Sequence, residues 1–256
     1  MFHSPVSKKF YYFVNEKSGT TTQWELFASG AKVDAKKVRT FDVGSQPEGC
    51  AADDETGAFY IGEEEVAIWK YSGEPGSGST RTQVDRVGGH VESNIEGMAI
   101  AHGKNGTGYL FVSSQGDNSY AVYERTGANK FVRNFTVGSN GGIDGTSDTD
   151  GIDVSPKALG SAFPHGLFVA QDGSNSGGNQ NFKLVPFQSI VPPLTTSTPT
   201  PGPKPTPGPT PTPRPTPGPS PTPTPKPAPS GDASCASTTL PGPCLLYTSP
   251  SPRDRS

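Results

Sequence analysis

Apolar residues recur along roughly the first 190 positions with a period of two, not 3.6. The runs KFYYFV, TQWELF, AFYIG, AIWKY, GYLFVSS, YAVYER, FVRNFTV and GLFVAQ are short and rich in β-branched and aromatic side chains, with Gly, Asn, Asp and Ser between them. Successive side chains of a strand point to opposite faces, so this period predicts strands joined by tight turns. The chain is expected to be all-β.

A longer period lies over the short one. EGCAADDETGAFYIGEE from Glu48, EGMAIAHGKNGTGYLFVSSQG from Glu96 and DGIDVSPKALGSAFPHGLFVAQDG from Asp150 start alike, 48 and 54 residues apart. Each reads acid, glycine, strand, turn, strand, and the first two continue into a third strand, VAIWKYSG and YAVYERTG, before a fourth. A period near 50 with about four strands per unit predicts propeller blades. The innermost strand of each blade lines a central channel, so Glu48, Glu96 and Asp150 are expected to return to one rim.

Composition divides the chain. Of 28 prolines, 22 lie at or after Pro192, and from Pro199 to Pro229 every odd position is proline. Proline fixes φ and removes a donor, so residues 192–230 read as a solvated polyproline II linker, about 95 Å long when extended. Residues 1–191 are the expected propeller domain and 231–243 the start of a further module. Residues 244–256, CLLYTSPSPRDRS, resemble the translated read-through of a sequencing adapter and fall outside the fold. A net charge of −3 and a pI near 5.8 give no basic face for nucleic acid, and no run of about 20 apolar residues offers a membrane span.

Three cysteines, Cys50, Cys235 and Cys244, are too few and scattered for a disulfide framework or zinc site, and Cys50 reads as a buried free thiol. No GK[ST] loop, no Arg-His-Gly stretch and no arginine close after Cys50 point to other phosphate chemistries. The acids are the informative feature. DGTSDTDGIDV, from Asp144 to Val154, gathers four aspartates, and carboxylates crowded together repel unless water or a cation neutralises them. Hard oxygen donors without paired His or Cys suit Ca²⁺.

The stretches SQPEGCAADDETGAFYIGEEEVAIWKYSGEP, IEGMAI, YAVYERTGANKFV, DGTSDTDGIDV and GLFVAQDGSN…NQNFKLVPF closely resemble the β-propeller phytases over residues 1 to about 190. The resemblance implies a six-bladed propeller with only its last three to four blades present. It also implies a secreted, monomeric, calcium-dependent phosphomonoesterase that removes phosphate from phytate or calcium-phytate through direct attack by a calcium-activated water. Carried over by position, Glu48, Glu64, Glu96 and Asp150 match catalytic calcium ligands, Lys17 a phosphate-contacting lysine, and Asp144 and Asp172 ligands of neighbouring calcium sites. Asn94 stands where the family has aspartate, and Ser174 where it often has a carboxylate. An arginine, a lysine pair, an aspartate and a tyrosine contributed by the family's early blades have no counterpart here, which implies an incomplete active site. A calcium-binding propeller without catalysis, or an inactive fragment, is the rival reading.

Overall fold

The structure, a computed structural model, describes residues 1–176 and 178–194. The linker from residue 195 onward and the segments 231–243 and 244–256 lie outside the described residues.

Four antiparallel sheets follow one another along the chain, each assembled from consecutive strands. The first holds β1 (Phe2–His3), β2 (Phe10–Asn15), β3 (Thr20–Ser29) and β4 (Lys32–Asp42). The second holds β5 (Pro47–Asp53), β6 (Ala58–Glu63), β7 (Ala67–Ser72) and β8 (Arg81–Arg86). In the third, β9 (Ile95–His102) is followed by β10 (Gly108–Ser114), β11 (Ser119–Glu124) and β12 (Phe131–Phe135). The fourth contains β13 (Ile152–Ser155), β14 (Leu167–Asp172) and β15 (Asn181–Pro186). Sequential four-stranded meanders packed face against face are the blades of a β-propeller.

The cores lie between the sheets. Phe41 and Val43 from the first sheet meet Phe59, Ile61 and Tyr71 of the second. Ala58, Tyr60 and Ile68 then face Met98, Leu110, Val112, Ala121 and Tyr123 of the third. Phe111, Tyr120 and Val122 in turn pack on Phe168 and Ala170 of the fourth. Strand alternation explains the arrangement, because Tyr60 and Phe59 are neighbours in sequence yet serve different cores. Strands in the middle of a blade are buried on both faces, so β6 is apolar almost throughout and buried along its whole length. Aromatic rings tie the seams, with Phe13 stacked 3.8 Å from Phe59 and Phe111 5.6 Å from Phe168.

A buried charge pair joins the second and third sheets. Arg125 donates to Asp53 from Nε at 2.6 Å and from Nη2 at 2.5 Å, and also to Glu55 at 2.9 Å. Both side chains of the Arg125–Asp53 pair are fully buried. Burial pushes the Asp53 carboxyl upward, but the Arg125 and Thr56 hydrogen bonds outweigh it and hold the group below its ordinary 3.8. Cys50 is a free thiol packed at the edge of the first seam, and burial pushes its pKa up.

A candidate acidic rim at the starts of the inner strands

The inner strands of successive blades, β5, β9 and β13, lie side by side. Their contact is made at the acid-glycine starts of the repeat. A Cβ built on Gly49 would overlap the carbonyl oxygen of Glu96, and one on Gly97 would sit 2.6 Å from the carbonyl oxygen of Asp150. The Gly97 amide donates to that same Asp150 oxygen at 2.7 Å. Only glycine lets the backbones approach this closely, which accounts for the glycines after Glu48 and Glu96, whereas a Cβ on Gly151, after Asp150, would meet nothing within 4 Å.

Other contacts bring the remaining candidates to the same end. Glu64 follows β6 and is buried, its amide donating to the Gln46 carbonyl at 2.9 Å while its carbonyl accepts from the Ile95 amide at 3.0 Å. Asn94 precedes β9 with φ at 59°, a left-handed conformation that asparagine tolerates. With its amide nitrogen turned toward the acids, its side chain lies 2.9 Å from Glu65 Oε1 and 3.2 Å from Glu64 Oε1. Lys17 occupies the exposed turn between β2 and β3, two residues beyond Asn15, whose amide donates to the Glu48 carbonyl at 3.1 Å.

Glutamines orient two of the acids. Gln46 Nε2 donates to Glu48 Oε1 at 2.7 Å, and Gln115 Nε2 donates to Asp150 Oδ1 at 2.7 Å. Gln171 Oε1 accepts from the Asp150 amide at 2.8 Å. The backbones of the repeat thus meet, whereas the Glu48 and Asp150 carboxylates turn to neighbouring amides. Among the described residues no group of three or more His, Cys, Asp or Glu side chains is placed to hold a metal ion. The donors are nonetheless all oxygen, carboxylate and amide carbonyl, the chemistry that suits a hard cation such as calcium.

Asp144 and Asp172 form a separate cluster beside the fourth sheet. Lys183, on β15, places Nζ 2.6 Å from Asp144 Oδ1 and 2.9 Å from Asp172 Oδ2. The lysine hydrogen bond, with those from the Ser176 amide and hydroxyl, holds the Asp144 carboxyl far below the usual carboxylate range. Asp148 has φ at 49° and donates from its amide to Asn118 Oδ1 at 2.8 Å, a turn role. Asp172 ends β14 as Glu63 ends β6, and Glu63 is engaged structurally by Trp69 Nε1 at 2.7 Å and Ser45 Oγ at 2.7 Å. Glu64 is therefore one residue beyond the position equivalent to Asp172.

Sequence reasoning missed Gln46, Gln115, Gln171 and Lys183, whereas Glu65 belongs to the GEEE run, Gly62 to Glu65, that was expected to join the repeat's acids. The glutamines left a faint trace, since SQPEG, SSQGD and AQDG each set a glutamine beside an acid or the start of a turn.

The fold and this rim define an acidic-rimmed β-propeller. A family profile described as Phytase matches residues 1–198, and the chain belongs to that family. It is 50% identical over 196 residues to the 3-phytase of Bacillus subtilis (strain 168), a match covering 74% of this chain and 51% of that protein. The chain thus spans about half the length of the curated relative it matches. Among solved structures, the WD40 domain of SCAP from fission yeast aligns with a TM-score of 0.38 at 13% identity, covering 70% of this chain and 49% of that one.

Proposed function

We propose that the chain supplies part of the active-site rim of a calcium-dependent phosphomonoesterase that converts phytate to lower inositol phosphates and phosphate. The observation that carries this reading is the contact of three acid-glycine strand starts, Gly49 against Glu96 and Gly97 against Asp150, in a member of the Phytase family. An acidic rim alone would repel a polyphosphate. Calcium, when bound, would invert the local field and supply both charge neutralisation and an activated water.

In this reading Glu48, Glu64, Glu96 and Asp150 hold the ion, and Asn94 adds a neutral oxygen once its amide, whose nitrogen faces Glu65 and Glu64 in the structure, turns over. Gln46 and Gln115 fix the rotamers of Glu48 and Asp150 so that less is lost in ordering them on binding. Lys17, exposed at the same end, contacts substrate phosphate. Asn94 in place of aspartate contributes one negative charge fewer, so the site holds calcium less tightly than an all-carboxylate one.

The test is phosphate release from phytate with and without a calcium chelator. It is made on the 256-residue chain and on a chimaera in which the unmatched half of the Bacillus subtilis relative precedes it. Chelator-sensitive release by the chimaera is expected. Release that persists unchanged in chelator would eliminate the metal reading, and calcium binding with no release from the chimaera would favour the non-catalytic propeller.

A further inference from the structure

Glu63 ends β6 as a carboxylate only 5% exposed, and both of its oxygens are engaged. Oε1 accepts from the Ser45 hydroxyl at 2.7 Å, and Oε2 accepts from Trp69 Nε1 at 2.7 Å with Arg81 Nη1 3.8 Å away. Arg81 is itself held, its guanidinium 3.7 Å from the centre of the Trp69 ring and its Nη1 donating to the Val43 carbonyl. An apolar residue would end a buried strand at less desolvation cost, so this acid has to be accounted for by what it ties down.

It ties down residues 43–46, the segment that crosses from the first sheet to the second. Gly44, with φ at 120°, packs so tightly that a Cβ there would sit 2.6 Å from Glu63 Oε1. Three candidate site groups hang from this segment. Gln46, beside Ser45, donates to Glu48 from its side chain and accepts from the Glu64 amide through its carbonyl. Glu64 itself is the residue after Glu63. On the other side, the Val43 amide donates to the Gly19 carbonyl at 2.9 Å, and a Cβ on Gly19 would lie 3.1 Å from the Ser45 carbonyl oxygen. The turn that carries Lys17, closed by the Gly19 amide donating to the Glu16 carbonyl, is thus pressed against the same segment.

We infer that Glu63 is a positioning residue, whose carboxylate clamps residues 43–46 and so sets Lys17, Glu48 and Glu64 in one register across two blades. The inference rests on the proposed function for treating these three groups as one site, whereas the clamp itself is tested without it. That test is amide exchange, read by mass spectrometry on the full 256-residue chain. Ser45→Ala cuts the clamp at the segment, and Trp69→Phe cuts it on the far side of the same carboxylate, while neither alters an acid. Each should speed exchange in residues 16–20 and 43–48 together by about tenfold, the effect of losing one hydrogen bond to a charged group, with β10 and β11 unchanged. Loosening confined to the mutated position, or present for Ser45→Ala and absent for Trp69→Phe, would overturn the proposal.

The consequence for the site is read in the chimaera with the relative's unmatched half. Ser45→Ala should raise the calcium concentration that half-saturates phytate turnover by about tenfold, the lower end of the range for partners behind a metal site, with turnover recovering at saturating calcium. A merely structural tie would lower the melting temperature and leave half-saturation where it was, and that result would also overturn the proposal. Loosened segments in a chimaera whose turnover ignores calcium would instead sink the proposed function while supporting the clamp.

Discussion

The two ends of β5 carry charge in opposite ways. At its far end Asp53 is fully buried and gripped by Arg125, a cation belonging to the next blade. At its near end Glu48 is only partly buried and takes its hydrogen bond from the neutral amide of Gln46. Charge cancelled inside the protein is spent on joining two sheets. Charge oriented by an amide keeps its field for something that arrives from solution. The Asp144–Asp172 cage combines the two modes, with a protein cation present but outnumbered.

Arg125→Met is the harshest test of the difference. It leaves Asp53 buried without its partner and should destabilise the chain by about 3–5 kcal/mol in urea unfolding. Replacing both partners, Arg125→Met with Asp53→Leu, should recover much of that loss, because the desolvation penalty disappears along with the attraction. A single-variant loss below about 1 kcal/mol would erase the distinction between the two ends.

Asp150→Asn probes the rim in the same spirit. In the propeller completed by the relative's remaining half it should reduce phytate turnover by about 10–100-fold, the usual range for weakened metal support, while unfolding free energy stays within about 0.5 kcal/mol. Full turnover would remove Asp150 from the site, and a large loss of stability would make it a structural acid like Asp53.

Acid separates the ends by a smaller margin. The Asp53 carboxyl lies below its ordinary 3.8 in the folded chain, so its contribution to stability is complete above that value. That contribution is lost as pH falls through the lower folded value, where the native state must take up a proton. Unfolding measured from pH 7 to pH 2 should therefore decline steeply at the acid end, and Asp53→Asn, less stable at neutral pH, should decline less steeply. Parallel curves would show that Asp53 titrates alike in both states.

How much of this could be read from the sequence depended on burial. Strands β6, β10 and β11 are sandwiched between sheets, and their apolar runs announce them. Outermost strands β4 and β8 are mostly exposed or half-buried, read as polar stretches such as KVDAKKVRTFD and RTQVDR, and gave no such pattern. The backbone contacts of Gly49 with Glu96 and of Gly97 with Asp150 were foreshadowed by the repetition, and the glycines after Glu48 and Glu96 are their mechanical cause. The rotamers of those acids were not legible, since they depend on glutamines in other turns, 35 residues away in the case of Gln115 and Asp150. Nor was the Lys183 cage, which forms only when the Asp144 loop closes on β15, 39 residues later.

The finest test is Gln46→Ala, which strikes the near end of β5 without touching an acid. A neutral amide donating to a half-buried carboxylate contributes about 0.5–1.5 kcal/mol, toward the lower figure because water can replace it. Unfolding should therefore barely register the change, whereas removal of the equivalent partner at the other end, Arg125, costs several-fold more. Calcium affinity is the sensitive readout, because Glu48 would have to be ordered at the moment of binding instead of beforehand. Calorimetric titration of the completed propeller should show several-fold weaker binding for Gln46→Ala with little change in thermal midpoint. A variant that instead lost stability in proportion to affinity would mean that Gln46 braces the start of β5, and the near end would be a second structural clasp rather than a charged surface waiting for an ion.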